Sequence, residues 1–136
     1  MHSSNYYNTF IQIAEDSKNN CGQVPPIKGD KRTVANLQFD MVYENPYQYT
    51  SDDVLFGVFA IRKNFTPTEL DEQRVIYFSK GQPCFRASPL TKTYGWGIHS
   101  NAEGKVAMFA AESHEYQKLA ADESLKQLKA MRSSRK

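Results

Sequence analysis

Between Gly81 and Ser100 the chain reads GQPCFRASPLTKTYGWGIHS, and Cys84, Arg86, Ser88, Lys92, Tyr94, Trp96 and His99 all fall inside this tract. Each residue type brings its own chemistry. A guanidinium fork such as that of Arg86 grips a carboxylate or phosphate through two parallel hydrogen bonds. Trp96, set between Gly95 and Gly97, offers a stacking face that a ligand can approach closely. His99 titrates near neutral pH and can move a proton. Cys84 becomes a nucleophile where a neighbouring cation, Arg86 or His99, favours its thiolate, with Ser88 or Tyr94 in support.

Each of these residues also has a plainer explanation. Arg86 can pair with a surface carboxylate, and Trp96 can be a core plug whose flanking glycines relieve crowding. His99 can be a hydrogen-bonded structural residue, and Cys84 a small buried hydrophobe. Their density in a tract broken by glycine and proline is what marks it, since polar side chains on short neighbouring segments can converge on one cleft. The expectation is a binding module with a cleft walled by residues 81–100. It would hold an anionic small molecule or a peptide through Arg86, Ser88, Lys92, Tyr94, Trp96 and His99. The alternative is a small enzyme using Cys84 or His99.

The common signatures of cofactor and metal chemistry are absent from the sequence. It has no phosphate loop, dinucleotide fingerprint, Gly-x-Ser-x-Gly elbow or His-Glu-x-x-His zinc helix. The histidines are His2, His99 and His114, and none stands at metal-ligand spacing from another. The sequence thus indicates neither a cofactor nor a metal. Asp52 and Asp53 form a carboxylate pair, but they sit at an expected helix start, where the cap and the helix dipole favour them.

The same residues bear on setting. Cys21 and Cys84 lack Cys-x-x-Cys spacing, which fits free thiols in a reducing compartment. Residues 1–14 carry neither a basic n-region nor an apolar h-region. The longest apolar run, Val54 to Ile61, is too short to span a bilayer. The cytoplasm is the expected location, with no membrane partner. At 136 residues, 40% hydrophobic and 12% aromatic, the chain has the composition of one globular domain, expected over 1–136.

The net charge of +2 does not by itself imply a polyanionic partner. From Lys126 onward, however, every charge is positive: Lys126, Lys129, Arg132, Arg135 and Lys136. A helix whose terminal cations complement its dipole, with a frayed tail from about residue 132, explains this. Nucleic-acid contact through a basic C-terminal helix is the weaker alternative, because no aromatic residues interleave the cations.

These residues need a frame, and the hydrophobic pattern predicts an α+β fold. Thr9–Ala14 is β-branched and alternating, so it reads as a strand. Ser17–Lys31 is a long polar loop with Gly22, Pro25, Pro26 and Gly29. Thr33–Asn45 suits both periods. It is assigned as a helix because Thr33 can cap it and Pro46 follows its end. Thr50–Asp53 and Thr66–Glu69 have the form of capping boxes, which predicts helices over 51–63 and 67–79, the second stopped by Gly81. Leu55, Phe56, Val58 and Phe59 are expected to be buried.

After Gly81 the period becomes extended, with strands near 83–87, 94–100 and 105–111. The last two form a hairpin around the Asn101–Gly104 turn. Helical stretches follow over 113–133. The expected architecture is a small antiparallel sheet packed against several helices.

Four segments carry a resemblance over nearly the whole chain, in the same order: NYYNTFI (5–11), NPYQYTSDDVLF (45–56), KGQPCFRASPLTKTYGWGIHS (80–100) and LKQLKAMRS (125–133). They resemble a family of small, mostly bacterial proteins catalogued only as a domain of unknown function. The resemblance implies a free-standing family member starting at Met1. It implies no activity, cofactor or catalytic residue.

Overall fold

The structure is a computed structural model that describes residues 1–133. It is α+β, with a small four-stranded sheet packed against helices. The elements are β1 (Thr9–Gln12), α1 (Val34–Tyr43), α2 (Ser51–Lys63), α3 (Leu70–Tyr77), α4 (Pro89–Lys92), β2 (Trp96–Ser100), β3 (Val106–Ala110), α5 (His114–Ala120) and β4 (Lys126–Lys129). Short 3-10 turns at Pro67–Glu69 and Phe85–Ala87 precede α3 and α4. No helix among the described residues is long and apolar enough to cross a membrane.

The sheet order is β3-β2-β1-β4. β2 pairs antiparallel with β3 and with β1, with Ile98 opposite both Met108 and Ile11. β4 lies parallel to β1, with Leu128 opposite Ile11. The sheet is therefore mixed, not antiparallel as expected. The correction comes from the C-terminus, where the helical reading of 113–133 holds only for α5. Leu125, Leu128 and Met131 recur at helical spacing, but an open edge of β1 offers Lys126–Lys129 a full backbone ladder. Pairing there overrides local pattern. Lysines at both ends of this edge strand also discourage further strand addition. The supposed basic C-terminal helix is thus an edge strand. Two of its neighbourhood's cations, Lys129 and Arg132, share Glu15 at 3.2 and 3.3 Å. Arg135 and Lys136, and most of the expected frayed tail, lie outside the described residues.

The strand expected over 83–87 is also corrected. Phe85–Ala87 turns as a 3-10 helix and leads into α4, capped by Ser88 with Pro89 at the first helical position. Proline there removes a donor that a sheet would need and presets the helical φ. α4 then packs against α1 and β2, and Ala14, just past β1, donates its N–H to the Thr91 carbonyl at 3.0 Å.

Alternation gives the sheet two faces. Ile11, Trp96, Ile98, Val106 and Met108 face Leu37, Phe39 and Val42 of α1, Val54 and Val58 of α2, and Phe85 and Leu90, all in one buried cluster. Phe10, Gly97, His99 and Phe109 occupy the opposite face, where α5 lies. There the Tyr116 ring meets Phe10 edge-on, with centroids 5.0 Å apart, and its hydroxyl accepts the Ile13 N–H.

The helices begin where their caps dictate. Thr33 with Asn36 and Thr50 with Asp53 form reciprocal capping boxes at α1 and α2. Leu55, Phe56 and Val58 are buried as expected, but Phe59 is only half-buried, on the outer side of α2 toward Phe65 and Tyr77.

Candidate functional site

The tract 81–100 does not fold as a single wall. Its second half enters the sheet, and its first half crosses the helices. Trp96 is 7% exposed. Its ring packs edge-on to Phe39 and Tyr43, and its Nε1–H donates to the Gln23 carbonyl at 2.8 Å. It is a core plug that pins the 17–31 loop. Gly95 completes that anchor: its φ of +81° suits glycine, and a Cβ there would lie 2.2 Å from the Cys21 carbonyl oxygen. Tyr94 packs half-buried against the same core, and its carbonyl accepts the Gln23 N–H.

His99 points to the other face of the sheet, half-buried, with Nδ1 2.8 Å from the Tyr47 hydroxyl. Burial lowers its pKa below the ordinary imidazole value, and the nearby charge of Asp122 opposes that shift. Tyr47, with φ of +60°, is a bulky residue in left-handed backbone, and its N–H donates to the Val106 carbonyl. Tyr47 also borders a shallow cavity of about 540 Å³ with Phe109, Lys118, Leu119 and Asp122. Tyr47 falls in the lesser candidate tract 45–53, which the sequence marks for Asp52 and Asp53 alone, and Asp122 is unmarked, because nothing local in NPYQY or ADES signals a partner on a distant strand.

Among the described residues Arg86 pairs with no carboxylate. Its Nε–H donates to the Lys129 carbonyl at 2.7 Å, and its own carbonyl accepts the Met131 N–H. The residue fastens the Phe85–Ala87 turn to β4. Lys92 ends α4, half-buried, and its side chain makes no hydrogen bond or ion pair among the described residues. Arg86, Lys92, Trp96 and His99 therefore do not share one concavity.

Two members of the tract do meet at a cavity. Val34 and Gln38 of α1, Leu55, Val58, Phe59 and Arg62 of α2, Tyr77, and the segment from Pro83 to Pro89 enclose about 230 Å³. Cys84 and Ser88 are in that lining. Ser88 caps α4: its Oγ accepts the Leu90 N–H at 3.1 Å and donates to Gln38 Oε1 at 2.6 Å. Cys84 Sγ lies 3.3 Å from the Tyr6 hydroxyl. Tyr6 has its pKa pushed up to about 12, first by burial and then by its bond to Cys84, with the charge of Arg86 working the other way.

Gln38 is the unusual member. It is 3% exposed, and the bond from Ser88 is the one hydrogen bond its side chain makes among the described residues. A buried amide carries two donors and an acceptor, and burying them without partners costs free energy. No fully sealed side-chain nitrogen or oxygen among the described residues lacks a partner. The Gln38 Nε2 group is therefore not fully sealed, and the residue lines this cavity. Gln38 was missed in the sequence because Leu37-Gln-Phe-Asp reads as an ordinary alternation. Arg62, exposed at the end of α2, also lines the cavity, and its side chain makes no hydrogen bond or ion pair among the described residues.

A larger groove of about 910 Å³ runs between α2 and α3. Its cation is already engaged: Arg74 donates to Asp53 at 2.9 Å and lies over the Phe56 and Phe78 rings. Burial opposes the charge on Asp53, yet the bonds from Thr50 and Arg74 outweigh it and hold the carboxyl below its ordinary pKa. No group of His, Cys, Asp and Glu among the described residues has the arrangement of a metal site.

No curated protein and no solved structure matches this chain. The model of one family matches it over residues 1–136, so the chain belongs to that family, a family of unknown function (DUF6157).

Proposed function

We propose that the protein is a small-molecule binding module whose ligand occupies the cavity between α1, α2 and the 83–89 segment. The observation that carries this reading is Gln38, a buried residue in the cavity lining whose amide is bonded on one side by Ser88 and whose NH2 group has no partner among the described residues. A ligand acceptor would complete it. The walls are mainly apolar, with Val34, Leu55, Val58, Phe59, Pro83, Ala87 and Pro89. A few fixed polar groups in an apolar lining is the usual character of small-ligand sites. Arg62 supplies an unpaired guanidinium, which suits a carboxylate or phosphate. A volume of about 230 Å³ favours a small anion over a peptide. Of the tract 81–100, Ser88 and Cys84 serve this cavity; Trp96 and His99 serve the fold.

The test is a thermal-shift and NMR titration of the full chain with small carboxylates and phosphates. A ligand present at a hundred times its dissociation constant adds about 2.7 kcal/mol and moves the midpoint by several degrees. The shift is expected to vanish in Gln38→Met and to weaken in Arg62→Gln. Stabilisation that is indifferent to both substitutions places the ligand elsewhere and overturns the reading.

A further inference from the structure

We infer that Cys84 is a covalent anchor, capturing the carbonyl carbon of a small aldehyde-bearing carboxylic acid held in this cavity. The inference rests on the ligand-binding reading of the same cavity and adds a bond-forming step to it.

Three observations converge. Cys84 is a free thiol, half-buried rather than sealed, and it lines the cavity. The Tyr6 hydroxyl stands 3.3 Å from its sulfur. Independently of the cysteine, Gln38, 3% exposed, lines the same space, and its amide NH2 group, unlike its Ser88-bonded oxygen, has no hydrogen-bond partner among the described residues and can take one from a ligand. A thiol with a proton-donating phenol beside it, in a pocket that holds a carboxylate, is equipped to add to a carbonyl.

The step balances without any further reagent. The Sγ–C bond forms as the C–O π bond opens onto oxygen, and the proton lost from the thiol ends on that oxygen, giving a hemithioacetal. Nothing is oxidised or reduced, and reversal returns the thiol and the aldehyde. Tyr6 stays protonated at neutral pH because burial and its neighbour hold its pKa at about 12. It is therefore a donor for the oxygen on which charge develops, a general-acid contribution. Arg62 takes the carboxylate, which fixes which end of the molecule faces the sulfur.

The experiment compares 4-oxobutanoate, labelled with 13C at its aldehyde carbon, with butanoate, which lacks the carbonyl. Full-length wild-type protein is expected to give a saturable hemithioacetal 13C signal with 4-oxobutanoate. Cys84→Ser is expected to abolish it and Cys21→Ser to leave it, while Tyr6→Phe slows its formation by at least about tenfold. Iodoacetamide labelling of the wild type, mapped by mass spectrometry, supplies a readout that needs no variant to fold: 4-oxobutanoate should protect Cys84 more than butanoate does. A signal that persists in Cys84→Ser, or equal protection by the two acids, overturns the covalent step. If butanoate and 4-oxobutanoate both shift the Gln38 side-chain amide resonance without an adduct, the covalent step falls and the binding reading stands. If neither acid shifts that resonance, both fall.

Discussion

The Tyr47 hydroxyl lies 2.8 Å from Nδ1 of His99, and this bond ties a turn in left-handed backbone to the middle of the sheet's second face. The rings meet edge-on, with centroids 5.6 Å apart. A neutral imidazole accepts the phenolic proton at Nδ1; an imidazolium cannot, since both its nitrogens are donors. The contact therefore has a protonation state built into it.

That gives a pH prediction with a definite sign. Burial lowers the folded-state pKa of His99 below the ordinary 6.5, while Asp122, the facing charge, limits the shift. The unfolded chain accordingly binds this proton more readily than the folded one. The stabilisation is fully present above about pH 6.5 and is lost as the pH falls through the folded-state value. In urea titrations, wild type should lose more stability between about pH 7 and about pH 5 than His99→Gln, which keeps a polar side chain but cannot titrate. His2 and His114 are common to both proteins and cancel. Equal losses would show that the folded protein does not resist protonation at His99.

A second prediction concerns Gly97, two residues before His99 on the same face. A Cβ on Gly97 would lie 2.6 Å from both Phe10 Cζ and Tyr116 Cε2. Those two rings already pack against each other, so neither can yield without disturbing the seat of α5. Gly97→Ala should cost about 1–3 kcal/mol in denaturant melts, as overpacking of a close-packed site does. Phe10→Leu, made in the same background, should recover part of that loss. A cost for Gly97→Ala inside about 0.5 kcal/mol would mean that α5 lifts freely off the sheet.

The third prediction orders two phenylalanines. Phe85 is 1% exposed in the central cluster, whereas Phe59 is half-buried toward Phe65 and Tyr77. Phe85→Ala should cost about 3–5 kcal/mol. Phe59→Ala should cost clearly less, since less of its surface leaves water on folding. Thermal and urea midpoints of the two variants decide the order; Phe59→Ala as the costlier change would relocate the core.

What was legible in the sequence tracks what is local in origin. Thr33, Thr50 and Thr66 announce helix starts because the cap bonds close within three residues. The β2–β3 hairpin was legible because Asn101–Gly104 holds its own turn, with Gly104 N–H donating to the Asn101 carbonyl. β4 was not. Its four residues include one half-buried side chain, Leu128, and its strand state comes from the free edge of β1, more than a hundred positions away. The cavity was half legible. Cys84 and Ser88 lay in the marked tract, but Gln38 and Arg62 join them from α1 and α2, Tyr6 reaches Cys84 from the N-terminal segment, and no spacing rule relates those positions. Trp96 misled for a physical reason: flanking glycines serve close packing of the chain as well as they serve access of a ligand. Gly95 meets the Cys21 backbone and Gly97 meets two rings.

The final prediction tests the bond that holds the cavity's polar floor. Ser88 does two things at once: its Oγ accepts the Leu90 N–H as the cap of α4, and its hydroxyl proton goes to Gln38 Oε1 at 2.6 Å. Ser88→Ala therefore removes a cap, at about 1 kcal/mol, and also leaves a buried acceptor on Gln38 unpaired, for a total of about 2 kcal/mol or more. Gln38→Met keeps the volume and removes the amide, leaving the Ser88 hydroxyl as the orphan. Because each single change strands the other partner, the double variant should cost less than the sum of the two. A coupling of about 0.5–3 kcal/mol is the range for groups in direct contact. The same variants separate stability from binding. Ser88→Ala leaves the Gln38 amide in the cavity and should weaken ligand binding only modestly, whereas Gln38→Met should abolish it. Strict additivity in the melts would mean that the two side chains do not bond. Ligand binding that survives Gln38→Met would mean that the amide, however buried, is not what the ligand meets.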